Sequence, residues 1–327
     1  MTPQTLAQRF AQLHLLVVGD LVLDEYLIGQ VSRLSREAPV PVLEQTQVTY
    51  VAGGAANPAV NICSLGARGV LVGLLGQDDA AIHLKELLDA RHVAQDGVIV
   101  DPQRPTTQKT RIVAEGAYVF AHHLARVDRL SRAPAQGSIE KQLCQRIAAL
   151  VPQMHGILVS DYRMGVITPA VAQEIRQQAR AHQVLTVVDT QGNLARFRGY
   201  DVLRCNAQEA ASYLARPLRS DADFEGAVRE LVASLDAGAA IITRGAAGLS
   251  GFSRQEGLFH LPASNRSQVF DVTGAGDVFT AVLTLALAAG EGLSAAAALG
   301  NRAAGVAVTQ LGNVAVTWEG LRGAVED

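Results

Sequence analysis

Residues 271–277 read DVTGAGD and run directly into VFTAVLTLALAAG, residues 278–290. The second stretch is apolar on almost every side, which predicts a buried helix ending on Gly290. The first stretch is then the entry to that helix, with three small residues, Gly274, Ala275 and Gly276, ahead of Asp277. One reading is structural: the glycines allow a tight turn, and Asp277 favours the positive end of the helix. The other is functional: uncrowded backbone N–H groups receive an anion such as a phosphate, with Asp277 beside it as a base. An isolated Gly-Ala-Gly does not separate the two. The rest of the chain has to.

The chain has 327 residues, enough for one large α/β domain or two average ones. Lys and Arg number 28 against 31 Asp and Glu, a net charge of −3 that does not suggest a nucleic-acid binder. Cys63, Cys144 and Cys205 stand far apart, without CxxC or Cys/His ligand spacing, and read as reduced thiols. No apolar run reaches the roughly 20 residues of a membrane span, and the N-terminus lacks a basic region followed by a long apolar one. The expectation is a cytoplasmic protein with no membrane or nucleic-acid partner.

Short β-branched runs alternate with longer helical patterns. Strands are expected at His14–Gly19, Val70–Leu75, Gly156–Ser160, Leu185–Val188, Val202–Arg204 and Ala240–Thr243. Helices are expected near 54–65, 79–91, 137–151, 169–182, 207–215, 222–236, 275–289 and 294–310. Nearly continuous apolar strands alternating with helices imply a mostly parallel sheet covered on both faces. With no repeat and no low-complexity linker, residues 1–327 read as a single domain. Residues 24–51 and 106–127 break the alternation. They read as short strands with polar interleaving and turns, a small accessory sheet that lids the main one.

The strand ends matter most for function. VVGD ends on Asp20, ILVSD on Asp161, TVVD on Asp189, VLRCN on Asn206, and IITRG on Arg244 and Gly245. Ligands of open α/β sheets bind beyond the carboxyl ends of the strands. One polar strand end is ordinary helix capping. Five on one rim, together with DVTGAGD, read as a site. A second glycine-rich stretch, GGAANPAVNICSLGA at 53–67, opens a helix on which Asn57 and Asn61 share a face at i, i+4. It reads either as a helix start with a polar stripe or as a backbone-lined pocket in which Asn57 bonds a polyhydroxylated ligand.

GGAANPAVNICSLGA followed by GLLGQDD, and DVTGAGD followed by its apolar helix, closely resemble the two signature regions of the ribokinase-like (phosphofructokinase-B) carbohydrate kinases. The resemblance runs the whole chain in order, through VVGD, NAQE at 206–209 (the family's N-x-x-E) and ITRGAAG at 241–247. Within that family, SRLSREAPVPV at 32–42 and, more loosely, TTQKTRIVAE, SDYRMG and QLGNVAVT are similar to D-glycero-β-D-manno-heptose-7-phosphate kinases. The resemblance implies a ribokinase-like three-layer αβα sandwich with a small β-sheet lid that often forms a homodimer contact. It implies ATP-dependent phosphorylation of a sugar hydroxyl with Mg²⁺. Asp277 corresponds to the base, and the N–H groups of Gly274, Ala275 and Gly276 to the anion hole. Asn206 and Glu209 match the motif that organises Mg²⁺ and the ATP phosphates through water. Thr243, Arg244 and Gly245 fall where nucleotide phosphates and ribose lie, and Asn301 on a helix facing the base. Asp20, Gly53, Gly54 and Asn57 fall where sugar hydroxyls are held. Asp271 and Thr273 match a monovalent-cation (K⁺) site that many members possess.

The chemistry fits without the family name. Phosphoryl transfer is mainly positioning plus charge stabilisation, and a turn with bare N–H groups supplies fixed donors. A carboxylate one step away takes the proton of the attacking hydroxyl. The Walker pattern GxxxxGK[ST], the protein-kinase HRDxxxxN and a GxGxxG after the first strand are all absent. A non-catalytic sugar binder would be expected to have lost the base or the turn, and both are intact. The acceptor is less sharply written. SDYRMG and DTQ place Met164 and Gln191 where the heptose-phosphate kinases typically carry Lys. Lys109, Arg111 and Arg163 are the cations expected to hold an acceptor phosphate. No HxGH nucleotidyltransferase motif is present, so that activity is expected to reside in another protein.

Overall fold

A computed structural model describes residues 3–116, 119–265, 271–310 and 312–321. Residues 117 and 118 of the expected lid, and Leu311 of QLGNVAVT, lie outside the described residues. The chain opens with α1 (Pro3–Phe10), β1 (His14–Gly19), β2 (Leu21–Leu34), β3 (Pro41–Gly54), α2 (Ala56–Ser64), β4 (Arg68–Leu75), α3 (Asp79–Ala90) and β5 (Ala94–Val100). It continues through β6 (Thr107–Gly116), β7 (Val119–Arg129), α4 (Gly137–Leu150), β8 (Gly156–Asp161), α5 (Pro169–His182), β9 (Leu185–Thr190), β10 (Val202–Asn206) and α6 (Ala207–Tyr213). The last elements are α7 (Asp221–Ser234), β11 (Ala239–Thr243), β12 (Leu249–Ser253), β13 (Gly257–Leu261), α8 (Ala275–Ala288) and α9 (Leu293–Ala307).

The alternation of β1 shows why two helical layers are needed. Leu15 and Val17 enter one buried core with α1, α2, α3, α8 and α9, while Leu16 and Val18 enter a second core with α4, α5, α6 and α7. Both faces of the strand are therefore apolar, and the run reads as continuous. The large sheet has nine strands in the order β13-β12-β11-β10-β9-β8-β1-β4-β5, parallel from β11 to β5, with β12 and β13 added antiparallel. α1, β5, β12 and β13 were not expected from the sequence. β5 is a half-buried edge that starts on polar AQDG, and the β12–β13 hairpin is short and glycine-containing.

The small sheet, order β3-β2-β6-β7, corrects the expectation of short pieces and turns. β2 and β3 are each 14 residues long, paired antiparallel with register shifts at Ile28/Gly29 and Val31/Arg33. The polar interleaving comes from a two-faced sheet rather than from turns: Tyr26, Ile28 and Val113 form a separate small core while alternate side chains face out. β2 leaves β1 across Asp20 alone, so the lid is rooted at the rim where β1, β8, β9, β10 and β11 end. Among the described residues no helix is long and apolar enough to cross a membrane.

Candidate active site

The turn ahead of α8 is built as its sequence suggests. Gly274 takes φ +75°, and a side chain there would run into Asn313 and Asn57, so glycine is required on both counts. The N–H of Ala275 bonds back to Val272 O at 3.3 Å. This corrects the expected anion hole. Among the described residues, the N–H groups without an acceptor are those of Gly274, Gly276 and Asp277, at the positive end of α8.

Asp277 is 5% exposed. Its Oδ2 accepts from Asn57 Nδ2 at 3.0 Å and its Oδ1 from the Tyr162 hydroxyl at 2.5 Å. Burial pushes its carboxyl up to about 7; the Tyr162 and Asn57 hydrogen bonds pull it down, and the Asp189 charge pushes it further up. A carboxylate near neutrality is suited to accept a proton at neutral pH. Asn57 is the joint between the two glycine segments. Asn61, one turn on, donates to both Asn57 O and Asn57 Oδ1 and so fixes the amide.

Beyond Asp277 lies a chamber of about 160 Å³ lined by Asp161, Asp189, Arg204, Asn206, Glu209 and Gly276. Arg204, not singled out in the sequence, dominates it. It lies on β10 between Leu203 and Cys205, which face the core. Its Nη1 meets both oxygens of Asp189 at 2.8 and 3.0 Å, and its Nη2 donates to Thr243 Oγ1 at 2.9 Å. Its Nε is buried with no partner among the described residues, and its guanidinium lies 3.1 Å from where a side chain on Gly276 would begin. A cation with an unspent donor beside free N–H groups makes an anion site. Asn206 and Glu209 form the capping box of α6: Asn206 Oδ1 accepts from Glu209 N at 2.9 Å, and Asn206 N donates to Glu209 Oε2 at 2.7 Å. Burial raises the Glu209 carboxyl, and the residue lines the chamber.

A second groove of about 410 Å³ adjoins the chamber through Arg204 and Gly276, and Thr243, Gly245, Val272, Phe279 and Asn301 help to line it. Its apolar floor and polar rim suit a heterocyclic ligand. Arg244 does not reach it. That expectation is corrected: its guanidinium pairs with Asp221 at 2.6 Å, donates to Ser250 and stacks on Phe224 at 4.2 Å, on the far side of β11. β11 ends at Thr243, and the chain turns at Arg244, whose side chain these partners hold away from the groove.

On the lid side the sequence missed Asp24. It is 3% exposed, ion-paired to Arg111 at 2.5 Å, and its Oδ2 accepts from Asn313 Nδ2 at 2.7 Å. Gly53 is needed because any side chain there would strike Asp24 Oδ2. Gly53 and Gly54 thus let β3 close on Asp24 and Asp20. Asp20 is also corrected. Its carboxylate accepts the N–H groups of Tyr162 at 2.9 Å, Met164 at 3.1 Å and Val166 at 3.1 Å, so it pins the loop after β8 instead of facing a ligand. Of the three expected acceptor cations, Arg111 is spent on Asp24 and lies over Tyr26. Arg163 is exposed at φ +60° and turned toward Gly192. Lys109 remains, half-buried over the Tyr162 ring at 5.2 Å, with burial lowering its ammonium. Asp271 and Thr273 are brought together: Asp271 Oδ1 accepts from the Thr273 N–H and hydroxyl, and Oδ2 from Gly312 N. Among the described residues no group of three or more His, Cys, Asp or Glu is placed to hold a metal.

Residues 12–319 match the pfkB family carbohydrate kinase. The bifunctional protein HldE of Geobacter metallireducens is 40% identical over 303 residues, 92% of this chain and 61% of that protein. HldE of Caulobacter vibrioides is 39% identical over 314 residues, 95% of this chain and 63% of its own length. The chain thus spans less than two thirds of these relatives. Among solved structures, Arabidopsis thaliana ribokinase complexed with ribose and ATP superposes with a TM-score of 0.76 at 20% identity, covering 96% of this chain and 99% of that one. Escherichia coli phosphofructokinase-2 in complex with substrates and products gives 0.78 at 19%, covering 96% and 98%.

Proposed function

The chain belongs to the pfkB family of carbohydrate kinases, and from that premise we propose that it transfers the γ-phosphoryl of ATP to D-glycero-β-D-manno-heptose 7-phosphate, giving the 1,7-bisphosphate. One observation carries the site reading: a buried carboxylate held near neutrality stands at the mouth of a turn with free N–H groups and a cation with an unpaired donor. In this reading Asp277 takes the proton of the acceptor hydroxyl. Gly274, Gly276 and Arg204 meet the charge on the transferred phosphoryl. The groove of Thr243, Gly245 and Asn301 takes the nucleotide.

Asp24, Asn57, Asn313 and Lys109 surround the acceptor. Mg²⁺, which keeps several waters, neutralises phosphate charge when bound; the Glu209 carboxylate lining the chamber and the phosphates suit it better than a protein cage would. The heptose-phosphate acceptor is supported by the HldE relatives and the SRLSREAPVPV stretch, and Lys109 is the cation left for its phosphate. A second reading, an unphosphorylated sugar, is favoured by buried Met164 and by the commitment of Arg111 to Asp24.

The test is ADP release with heptose 7-phosphate, heptose, hexoses and ribose side by side, in K⁺ and in Na⁺. A kcat/KM highest for heptose 7-phosphate is expected. A tenfold preference for any unphosphorylated sugar, about 1.4 kcal/mol of transition-state binding, rejects that acceptor and leaves the kinase. Higher turnover in K⁺ alone would assign a cation to Asp271 and Thr273.

A further inference from the structure

Tyr162 touches the base directly, yet the transfer outlined above leaves it without a role. Its hydroxyl reaches Asp277 Oδ1 at 2.5 Å, while Asn57 holds Oδ2 at 3.0 Å. A carboxylate has about four lone-pair sites, so one donor on each oxygen fixes its plane and leaves room for an acceptor hydroxyl. Tyr162 is itself held from two sides. Its backbone N–H donates to Asp20 Oδ2, which also pins Met164 N, and Lys109 of lid strand β6 lies over its ring. Asp20, buried and otherwise without a ligand to face, gains a purpose: it fixes the loop that aims the phenol.

We propose that Tyr162 is the positioning residue of the transfer: its hydroxyl keeps the Asp277 carboxylate charged and aimed at the acceptor, and Lys109 couples that grip to the lid. The proposal rests on the kinase reading and adds to it a residue that sets the base. Burial alone would leave Asp277 holding its proton, and a donor to the charged form opposes this. The phenol remains a donor throughout the working range, because burial first and the Asp277 charge second push its own ionisation far up. A cation over the ring makes the hydroxyl a better donor. The other charged groups facing the chamber are Asp161 at the end of β8, Asp189 on β9, Arg204 on β10 and Glu209 on α6. Asp189 and Arg204 are paired, so they offset one another and leave Tyr162 as the nearest one-sided influence on the base.

The experiment titrates Asp277 directly by carboxyl ¹³C NMR, assigned with Asp277→Asn, in the wild type and in Tyr162→Phe. It is run beside the pH dependence of kcat and KM. Removing the hydroxyl is expected to move the Asp277 midpoint up by about one pH unit. The acid limb of kcat should shift with it, with kcat down about fivefold or more at pH 7 and recovering at high pH, and sugar KM little changed. An unmoved midpoint, or a loss confined to KM, overturns the proposal. Absence of transfer by the wild type would remove the kinase reading, while the NMR titration would still decide what Tyr162 does to Asp277. Should Tyr162→Phe fail to fold, Lys109→Met carries the test. A smaller shift in the same direction is expected, and no shift overturns the proposal.

Discussion

Asp277 works against the stability of its own fold. Its folded carboxyl lies at about 7, because of burial, whereas an unfolded aspartate titrates near about 3.9. The folded state therefore binds this proton more tightly than the unfolded chain. Below about pH 4 both states are protonated and nothing is lost. Between about 4 and 7 the unfolded chain ionises first, and stability falls; above 7 the deficit is constant. Asp277→Asn should accordingly melt higher than the wild type at pH 8, with the difference closing toward pH 4. Its kcat should fall about 100-fold or more while nucleotide binding persists, as general-base removal predicts. Calorimetry across pH and single-turnover kinetics check the two halves. Turnover near that of the wild type would remove Asp277 as the base. The turn and the carboxylate that follows it were legible in the sequence because a glycine turn and the residue after it are local. Asp24, Tyr162 and Arg204 were not, since each acquires its meaning from partners far away in the chain: Arg111, Asp277 and Asp189. Arg244 was misplaced for the same reason, its side chain being held by Asp221 and Phe224 rather than turned to the groove.

The helices and central strands that apolar periodicity marked are in place, because burial leaves a strong pattern in each, whereas α1 and the strands at the sheet edges, β5, β12 and β13, carry a weaker one. The lid was harder, since one exposed face dilutes the apolar signal and the bulges at Ile28/Gly29 and Val31/Arg33 break the alternation. Its strands divide in two along their length. The inner halves carry Asp24, Tyr26, Lys109 and Arg111, which are buried or half-buried, while the outer half of β2 is exposed. The inner half packs on the main core through Leu21, Leu23, Tyr50 and Ala52, and the Asp24–Asn313 bond and Lys109 over Tyr162 tie it to the site. The outer half of β2 has no such packing, so it is the part that moves most easily on ligand binding. Amide hydrogen exchange in β2, β3 and β6 is expected to slow when sugar and a non-hydrolysable ATP analogue are both present, and less with either alone. Equal protection in the free protein would make the lid a fixed wall.

At the scale of the whole molecule, the order of elements specified the αβα arrangement, and the rim at the carboxyl ends of the strands specified where to look. What the order could not specify is how the exposed half of the lid is used. Among the described residues eight large apolar side chains are exposed, and five of them, Val31, Leu34, Val40, Leu124 and Val127, belong to the lid or its hairpin turn. Sheet edges and apolar strands left open to water invite pairing with another chain. The expectation from the family resemblance is a second copy of this chain meeting that surface lid to lid. A homodimer would also bear on catalysis, because Asp24 shares β2 with Val31 and Leu34, Lys109 sits on β6 between β2 and β7, and pairing would stiffen the sheet that carries them. Sedimentation equilibrium should therefore show a dimer at micromolar concentration. Leu34→Asp with Val127→Asp should give a monomer whose sugar KM rises while its nucleotide affinity holds, since the nucleotide groove lies away from the lid. A wild-type monomer at all concentrations, or a double variant still dimeric, would assign the exposed row to something other than self-association.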